Sequence, residues 1–304
     1  MTTHYISTFL LLFLTQTLFA QYQIGLIPRV SPDKAVSQKI GYTEVEITYG
    51  SPAVKNRQLW GELVPYDKVW RAGANNATTV EFSDKVLIEN TPLDSGKYAL
   101  FIFPRENDKW TVIFNRVHKQ WGAFRYDESE DVLRVDVVPR RKTTLSENLT
   151  YSIEQLGYQY GRLVLHWGYT EIVVPLETNY LKKFEQEVEE RASQQPEYLK
   201  WIVYLQGAEH LHQISSRLDL AVSWINQAEG IMDSTSEWNE QFYQRDYVKG
   251  HLYWTKAKLL AKSDNFSEAQ RYGQRLKSLE NPIFYKRKNQ AEEIDTLLEL
   301  WKEK

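Results

Sequence analysis

The sequence predicts an all-β antiparallel sandwich followed by an all-α, helical-repeat-like C-terminal region. Two observations carry this prediction. Residues 41–175 alternate between apolar and polar side chains, whereas from Asn179 onward apolar residues recur at steps of three and four. A barrel is the alternative architecture for the β part. We therefore expect a β domain at residues 21–178 and a helical region at 179–304, after a signal peptide at residues 1–20.

The N-terminal segment predicts export. Residues 1–20 contain no Lys, Arg, Asp or Glu, and the segment from Ile6 to Phe19 is mostly apolar. Such a segment, ending in Ala20 before Gln21, is typical of a cleaved secretory signal peptide. We therefore expect a periplasmic or extracellular protein with no transmembrane segment after cleavage, and an uncleaved anchor is the alternative.

The β part shows about nine short predicted strands separated by turn residues. Val45, Ile47 and Tyr49 share one face of a strand, with polar residues between them. The run from Tyr98 to Phe103 is apolar on both faces, so we expect it in the interior and covered on both sides. A strand of that kind suits stacked layers, which favours a sandwich over a barrel.

The helical region begins with Leu181, Phe184 and Val188 at helical spacing. Two later segments match each other at small or apolar positions, which are Ala208, Ala221 and Ala228 in the first and Ala257, Ala269 and Leu276 in the second. The second segment, with a helix break before Asn265 and a closing Pro282, resembles a tetratricopeptide repeat. Because at least three repeats are normally needed for a free-standing solenoid, we expect this region to pack on the β domain or to bind a protein partner.

Composition excludes several classes of function. Lys and Arg total 37 against 40 Asp and Glu, so the chain lacks the positive balance of a nucleic-acid binder. The absence of cysteine excludes disulfides, thiolate metal sites and a cysteine nucleophile. The histidines have no metal-binding spacing, and the acidic run at residues 127–131 lacks the order of a calcium loop, so calcium there is a minor alternative. We expect no metal and no cofactor.

One set of residues has the chemistry of a polar binding site. An Arg offers a planar fork to a carboxylate or phosphate, Asn both donates and accepts, and Trp and Tyr offer flat faces to sugar rings or peptide side chains. The candidates are Arg57, Trp70, Arg71, Asn75, Thr78, Asn115, Trp121 and Tyr126. For Trp70 and Trp121 we favour a place in the core. Arg71 and Asn75 are equally compatible with ligand binding and with a structural role, and no residue is assigned a catalytic role.

The β part also resembles a known family. The stretches Ser51–Arg57, Leu63–Tyr66 and Val69–Asn75 are the most distinctive, and similar stretches continue in order over roughly residues 30–178. They resemble the bacterial secreted family named domain of unknown function 2911. One departure is Asn76, where many relatives carry Glu, and a catalytic role for that acid would be impaired here. The resemblance implies the domain and leaves its activity open.

The function we expect is therefore a non-enzymatic binding or interaction module. Its ligand would be a glycan, a peptide or another small polar molecule at the β domain. The alternative is a secreted hydrolase acting on glycan or peptide, with carboxylates that the sequence does not identify.

Overall fold

The computed structural model of the protein describes residues 28–234, 245–280, 284–285 and 288–304. The predicted signal peptide, its cleavage point at Gln21 and the predicted closing Pro282 lie outside these residues. The chain divides into two compact units, with the boundary between Leu181 and Lys182. None of the described helices has both the length and the apolar character needed to cross a membrane.

The first unit contains ten described strands, arranged in two antiparallel sheets. The strands are β1 (Asp33–Ile40), β2 (Thr43–Gly50), β3 (Ala74–Phe82), β4 (Val86–Ile88), β5 (Thr91–Leu93), β6 (Gly96–Phe103), β7 (Trp110–Asn115), β8 (Asp131–Val137), β9 (Arg140–Gln155) and β10 (Tyr160–Thr178). The six-stranded sheet has the order β1-β2-β3-β6-β7-β8 and the four-stranded sheet the order β5-β4-β10-β9. Neither sheet closes on itself, so the predicted sandwich is confirmed and the barrel is not adopted. The strands β9 and β10 are far longer than the short strands expected, at 16 and 19 residues.

The main core lies between the two sheets, and the period-two pattern determines which side chains enter it. Val45, Ile47 and Tyr49 of β2 are buried there, while Glu44 and Glu46 are exposed on the opposite face. This is the alternation that the sequence predicts, because successive side chains of a strand point to opposite faces.

The outer face of the six-stranded sheet is also covered. Ala99, Phe101 and Ile113 form a second buried cluster there, and Ala123 and Tyr126 of the β7–β8 connection pack against it. The interior strand β6 is therefore buried on both faces, as its sequence predicts. Its second cover is an irregular connection, with a short 3-10 helix at Glu128–Glu130, and not a further layer of sheet or helix.

The second unit is helical. The helices are α1 (Tyr180–Ser193), which crosses the boundary, α2 (Lys200–Gln213), α3 (Leu218–Ser234), α4 (Arg245–Lys262), α5 (Phe266–Lys277) and α6 (Lys288–Lys302), with a 3-10 turn at Glu197–Leu199. Helices α2 and α3 pack against each other, as do α4 and α5. The six matched positions of the two segments are each 0% exposed, which lets neighbouring helices approach closely. The likeness to tetratricopeptide repeats stays a prediction.

Candidate functional site

A pocket of about 280 Å³ opens beside the long connection between β2 and β3, residues 51–73. Three of the predicted site residues line it, namely Arg57, Trp70 and Arg71. Lys55 and Trp167 also contribute to its wall. We call this the Arg71 pocket.

The backbone around Arg71 is held in an unusual turn. Ala72 has a φ of +53°, in the left-handed region that residues with a Cβ rarely adopt. Its carbonyl oxygen accepts hydrogen bonds from the Thr78 hydroxyl at 3.0 Å and from the Tyr151 hydroxyl at 2.9 Å. Burial raises the pKa of Tyr151 well above its ordinary value, so this hydroxyl keeps its proton. Two buried donors therefore stabilise the strained turn that carries Arg71.

Gly73 completes the turn because its surroundings leave no space for a side chain. A Cβ at this position would lie 2.7 Å from the Thr78 hydroxyl oxygen and 3.0 Å from the Gly50 carbonyl oxygen. Strand β3 begins at the next residue and pairs with the end of β2. The position of Arg71 is thus determined by close packing of backbone on backbone.

The guanidinium of Arg71 has no protein partner among the described residues. Its Nε atom is buried and makes no hydrogen bond, and no carboxylate forms an ion pair with it. Burial lowers the pKa of Arg71 below its ordinary value, since no neighbouring acid compensates for the lost solvation. The Arg71 side chain is half-buried, and its buried Nε has a hydrogen-bonding capacity that the described protein does not use.

Trp167 supplies a second buried donor at the same pocket. It is 1% exposed, stacks on Trp70 with 5.7 Å between the ring centroids, and its Nε1 has no hydrogen-bond acceptor. Trp60 packs edge-on against Trp167 and also contacts Trp110, and the indole nitrogens of Trp60 and Trp110 both donate to acceptors in the protein. Trp70 packs against the main core, as we expected, and also forms part of the pocket wall.

Two further cations lie at the pocket and belong to one exposed turn. Lys55 has a φ of +50°, and its backbone N–H donates to the Glu147 carboxylate at 2.9 Å. Arg57 donates through Nε to the Val54 carbonyl at 3.0 Å and through Nη2 to the Ala53 carbonyl at 2.6 Å. The Lys55 bond holds the turn against β9, and the Arg57 bonds close the turn on itself. Both side chains line the pocket.

Two predicted site residues support the pocket without lining it. Thr78 is fully buried, and its hydroxyl holds the Ala72 carbonyl. Asn75 donates through Nδ2 to the Ser31 carbonyl at 2.8 Å, which ties the segment before β1 to the start of β3.

Asn115 lies on the outer face of the six-stranded sheet, away from the pocket wall. It is 0% exposed, and its Nδ2 donates to the Asp127 carbonyl at 2.9 Å and to Asp131 Oδ1 at 2.8 Å. Its Oδ1 accepts from the Val117 backbone N–H at 2.9 Å. The side chain therefore fastens both ends of the β7–β8 connection to the sheet.

Tyr126 belongs to the same outer-face scaffold. Its hydroxyl donates to Asp131 Oδ2 at 2.7 Å and accepts from Arg134 Nη1 at 3.2 Å. Burial, followed by the hydrogen bond to Asp131, raises the pKa of Tyr126 to about 12. Asp127 caps the short 3-10 helix by accepting from the Ser129 N–H. In the part of the chain that the structure describes, no group of three metal-binding side chains converges.

The expectation that Trp121 lies in the core is wrong. Its side chain is 54% exposed and lines a groove of about 630 Å³ on the outer face of the six-stranded sheet. The neighbouring Gln120 is buried instead, because its backbone carbonyl pairs with Ala77 of β3 and turns the next side chain outward.

Sequence reasoning missed Lys55 and Trp167 as pocket residues. Lys55 is only two positions from Arg57 in the sequence, and two cations so close together in one turn could have indicated that both belong to the pocket. Trp167 ends the alternating run with Leu163 and Leu165, which indicates a buried strand and nothing more.

The comparison with protein families matches the β-sandwich unit and does not extend to the helical unit. The family model described as "Protein of unknown function (DUF2911)" matches residues 31–176. No curated protein and no solved structure matches the chain. The matched segment begins just before β1 and ends within β10, so it contains both sheets, the Arg71 pocket and the groove at Trp121. Over residues 31–176 this chain is therefore similar to the DUF2911 family.

Proposed function

We propose that the sandwich is a non-enzymatic binding module that takes a small ligand bearing a carboxylate or phosphate in the Arg71 pocket. The observation that carries the proposal is a pair of buried donors, Arg71 Nε and Trp167 Nε1, without acceptors in the described protein. A buried donor left unsatisfied costs about 1–3 kcal/mol. The oxygens of an anionic ligand would satisfy both donors, and hydrogen bonds to charged groups are the stronger kind.

The charges of the pocket support an anionic ligand. Among its described lining residues, Lys55, Arg57 and Arg71 are basic and none is acidic. The pocket volume of about 280 Å³ lies just below the usual range for small-molecule sites, which favours a small ligand. The apolar side chains of Trp70 and Trp167 exclude water from part of the wall. The local dielectric constant is therefore lower than in bulk water, which strengthens electrostatic attraction to an anion.

The alternative function, a secreted hydrolase acting on glycan or peptide, stays a hypothesis. Glycoside hydrolysis usually requires two carboxyl groups that flank the scissile bond. The described lining of the Arg71 pocket contains no carboxylate, so no observation at this site favours that chemistry.

Export belongs to the same proposal. The apolar, uncharged N-terminal segment ending at Ala20 supports a periplasmic or extracellular place for the mature protein. That the helical unit binds a protein partner stays a prediction.

Titration calorimetry of the mature chain with inorganic phosphate, and separately with acetate, tests the ligand proposal. We expect saturable binding of at least one anion, with a dissociation constant on the order of 1 mM or tighter. The variant Arg71→Gln removes the charge and the guanidinium fork, and we expect it to weaken binding by about 10-fold or more. The matched control is Arg125→Gln, which removes an exposed arginine that does not line the pocket.

Two results would refute the proposal. One is the absence of saturable binding of both anions to the wild-type protein. The other is an equal loss of affinity in Arg71→Gln and Arg125→Gln, which would assign the effect to net charge and not to this pocket.

A further inference from the structure

We infer that the groove at Trp121 is a second binding site, and that its ligand is a saccharide. The groove lies on the outer face of the six-stranded sheet, between side chains of β1, β2, β3 and β6 and the β7–β8 connection. We call it the Trp121 groove. It shares no described lining residue with the Arg71 pocket, so this inference does not depend on the function proposed above.

Trp121 forms a fixed aromatic surface in this groove. Two backbone hydrogen bonds bracket it, from the Ala77 N–H to the Gln120 carbonyl at 3.0 Å and from the Gly122 N–H to the Asn75 carbonyl at 2.9 Å. These bonds attach its backbone to the interior strand β3, while 54% of the side chain stays exposed. The Arg29 guanidinium lies over the Trp121 ring, 5.5 Å from its centroid. The exposed part of the indole still offers a flat apolar surface to a ligand.

The other groove side chains are polar and have the hydrogen-bonding capacity that sugar hydroxyls need. The Asn76 amide both donates and accepts, and the Lys119 ammonium donates. The Asp33 carboxylate is already used, since it pairs with Arg29 at 3.0 Å and accepts from Asn75 Nδ2 at 3.4 Å. Thr79 adds a hydroxyl from the outward face of β3. Asn76 and Lys119 are both exposed, so their polar atoms are accessible to a ligand.

Gln120 is excluded from the ligand-binding set because its amide is already used. Its Nε2 donates to the Val117 carbonyl at 2.7 Å, and its Oε1 accepts from the Arg125 N–H at 3.2 Å. It shapes the connection that carries Trp121.

The combination of one aromatic face and several polar groups fits a saccharide. A pyranose ring presents a patch of C–H groups that stacks on an indole, and hydroxyls around its edge that pair with amide, hydroxyl and ammonium groups. An extended apolar ligand would leave these polar groups of the groove without partners. The volume of about 630 Å³ lies within the usual range for small-molecule sites.

The test uses the mature chain and three defined saccharides: N,N′-diacetylchitobiose, maltotriose and trigalacturonic acid. Binding is followed by tryptophan fluorescence and by titration calorimetry. We expect saturable binding of at least one probe, with a dissociation constant of about 1 mM or tighter. Stronger binding of trigalacturonic acid than of the two neutral saccharides would indicate that the Lys119 ammonium pairs with a carboxylate of the saccharide.

The variants separate the groove from the rest of the surface. We expect Trp121→Ala to weaken saccharide binding by about 10-fold or more, and Asn76→Ala to weaken it by about 3-fold or more. The matched control is Phe124→Ala, since Phe124 belongs to the same connection, is 84% exposed and does not line the groove. Its binding should equal that of the wild type. Melting curves verify that each variant is folded.

The inference is overturned if none of the three probes binds the wild type at about 10 mM, or if Trp121→Ala binds as tightly as Phe124→Ala. Titration of the wild-type protein with phosphate and with the saccharides keeps the two proposals apart. Wild-type protein that binds phosphate and none of the three saccharides refutes the saccharide site alone, and the reverse pattern refutes the Arg71 pocket alone. In Trp121→Ala we expect phosphate binding to persist while saccharide binding weakens, because Trp121 does not line the Arg71 pocket.

Discussion

Replacement of Asn115 by Ala provides a direct test of whether this residue is part of the scaffold. The sequence placed Asn115 among the ligand-binding candidates, whereas the structure shows it fully buried with three hydrogen bonds of 2.8–2.9 Å. The variant Asn115→Ala removes all three bonds and leaves the Val117 N–H and the Asp127 carbonyl without this partner. At about 1 kcal/mol for each hydrogen bond, the expected loss in the free energy of unfolding is about 3 kcal/mol.

Thermal unfolding followed by near-ultraviolet circular dichroism measures this loss. One kcal/mol corresponds to about 2–4 °C for a folded unit of 150–250 residues, so the melting temperature of the sandwich should fall by about 6–12 °C. The control is Asn107→Ala, an exposed asparagine in the connection before β7, for which we expect a change within about 0.5 kcal/mol. If Asn115→Ala and Asn107→Ala melt together at the wild-type temperature, the structural role assigned to Asn115 is refuted.

Three further predictions concern the turn at Arg71 and one half-buried histidine. Arg71→Lys should change the melting temperature of the unliganded protein by less than about 3 °C, because no protein hydrogen bond is lost, while phosphate binding weakens; a larger drop would assign Arg71 to the scaffold. Gly73→Ala should destabilise the sandwich by about 1–3 kcal/mol in urea unfolding, since its Cβ would crowd the Thr78 hydroxyl, and an unchanged midpoint would contradict that packing. Burial, followed by the charge of Lys262, lowers the pKa of His212 to about 4. The unfolded chain therefore binds more protons than the folded one between pH 6.5 and 4, and stability conferred by this neutral imidazole should fall as pH falls through that window. His212→Gln should flatten the dependence, and identical pH profiles of the two proteins would disprove the assignment.

The layer architecture could be predicted from the sequence because side-chain direction alternates along a strand. The apolar positions Val45, Ile47 and Tyr49 define one face without reference to any distant residue, and the same holds for the run from Tyr98 to Phe103. The change to helical spacing after Thr178 likewise follows from local periodicity, and helix α1 begins at Tyr180.

The place of the loop residues could not be predicted in this way. Trp121 and Asn115 lie only six positions apart, yet one is exposed and the other is 0% exposed. The difference arises because the β7–β8 connection lies against β3, which is two strands away from β7 in the sheet. No local pattern encodes that contact, since irregular backbone has no repeating direction for its side chains.

By itself the sequence determined the composition of the two units, their periodicities, the core faces of the strands and the residue types available for binding. Only the tertiary structure decided which of them meet. Arg71 and Trp167 are separated by most of the sandwich in sequence, and they line one pocket because the β2–β3 connection packs beside β10. Whether a buried donor has an acceptor depends on all the segments that pack around it. The unsatisfied donors that indicate a ligand can therefore be identified only in the folded structure.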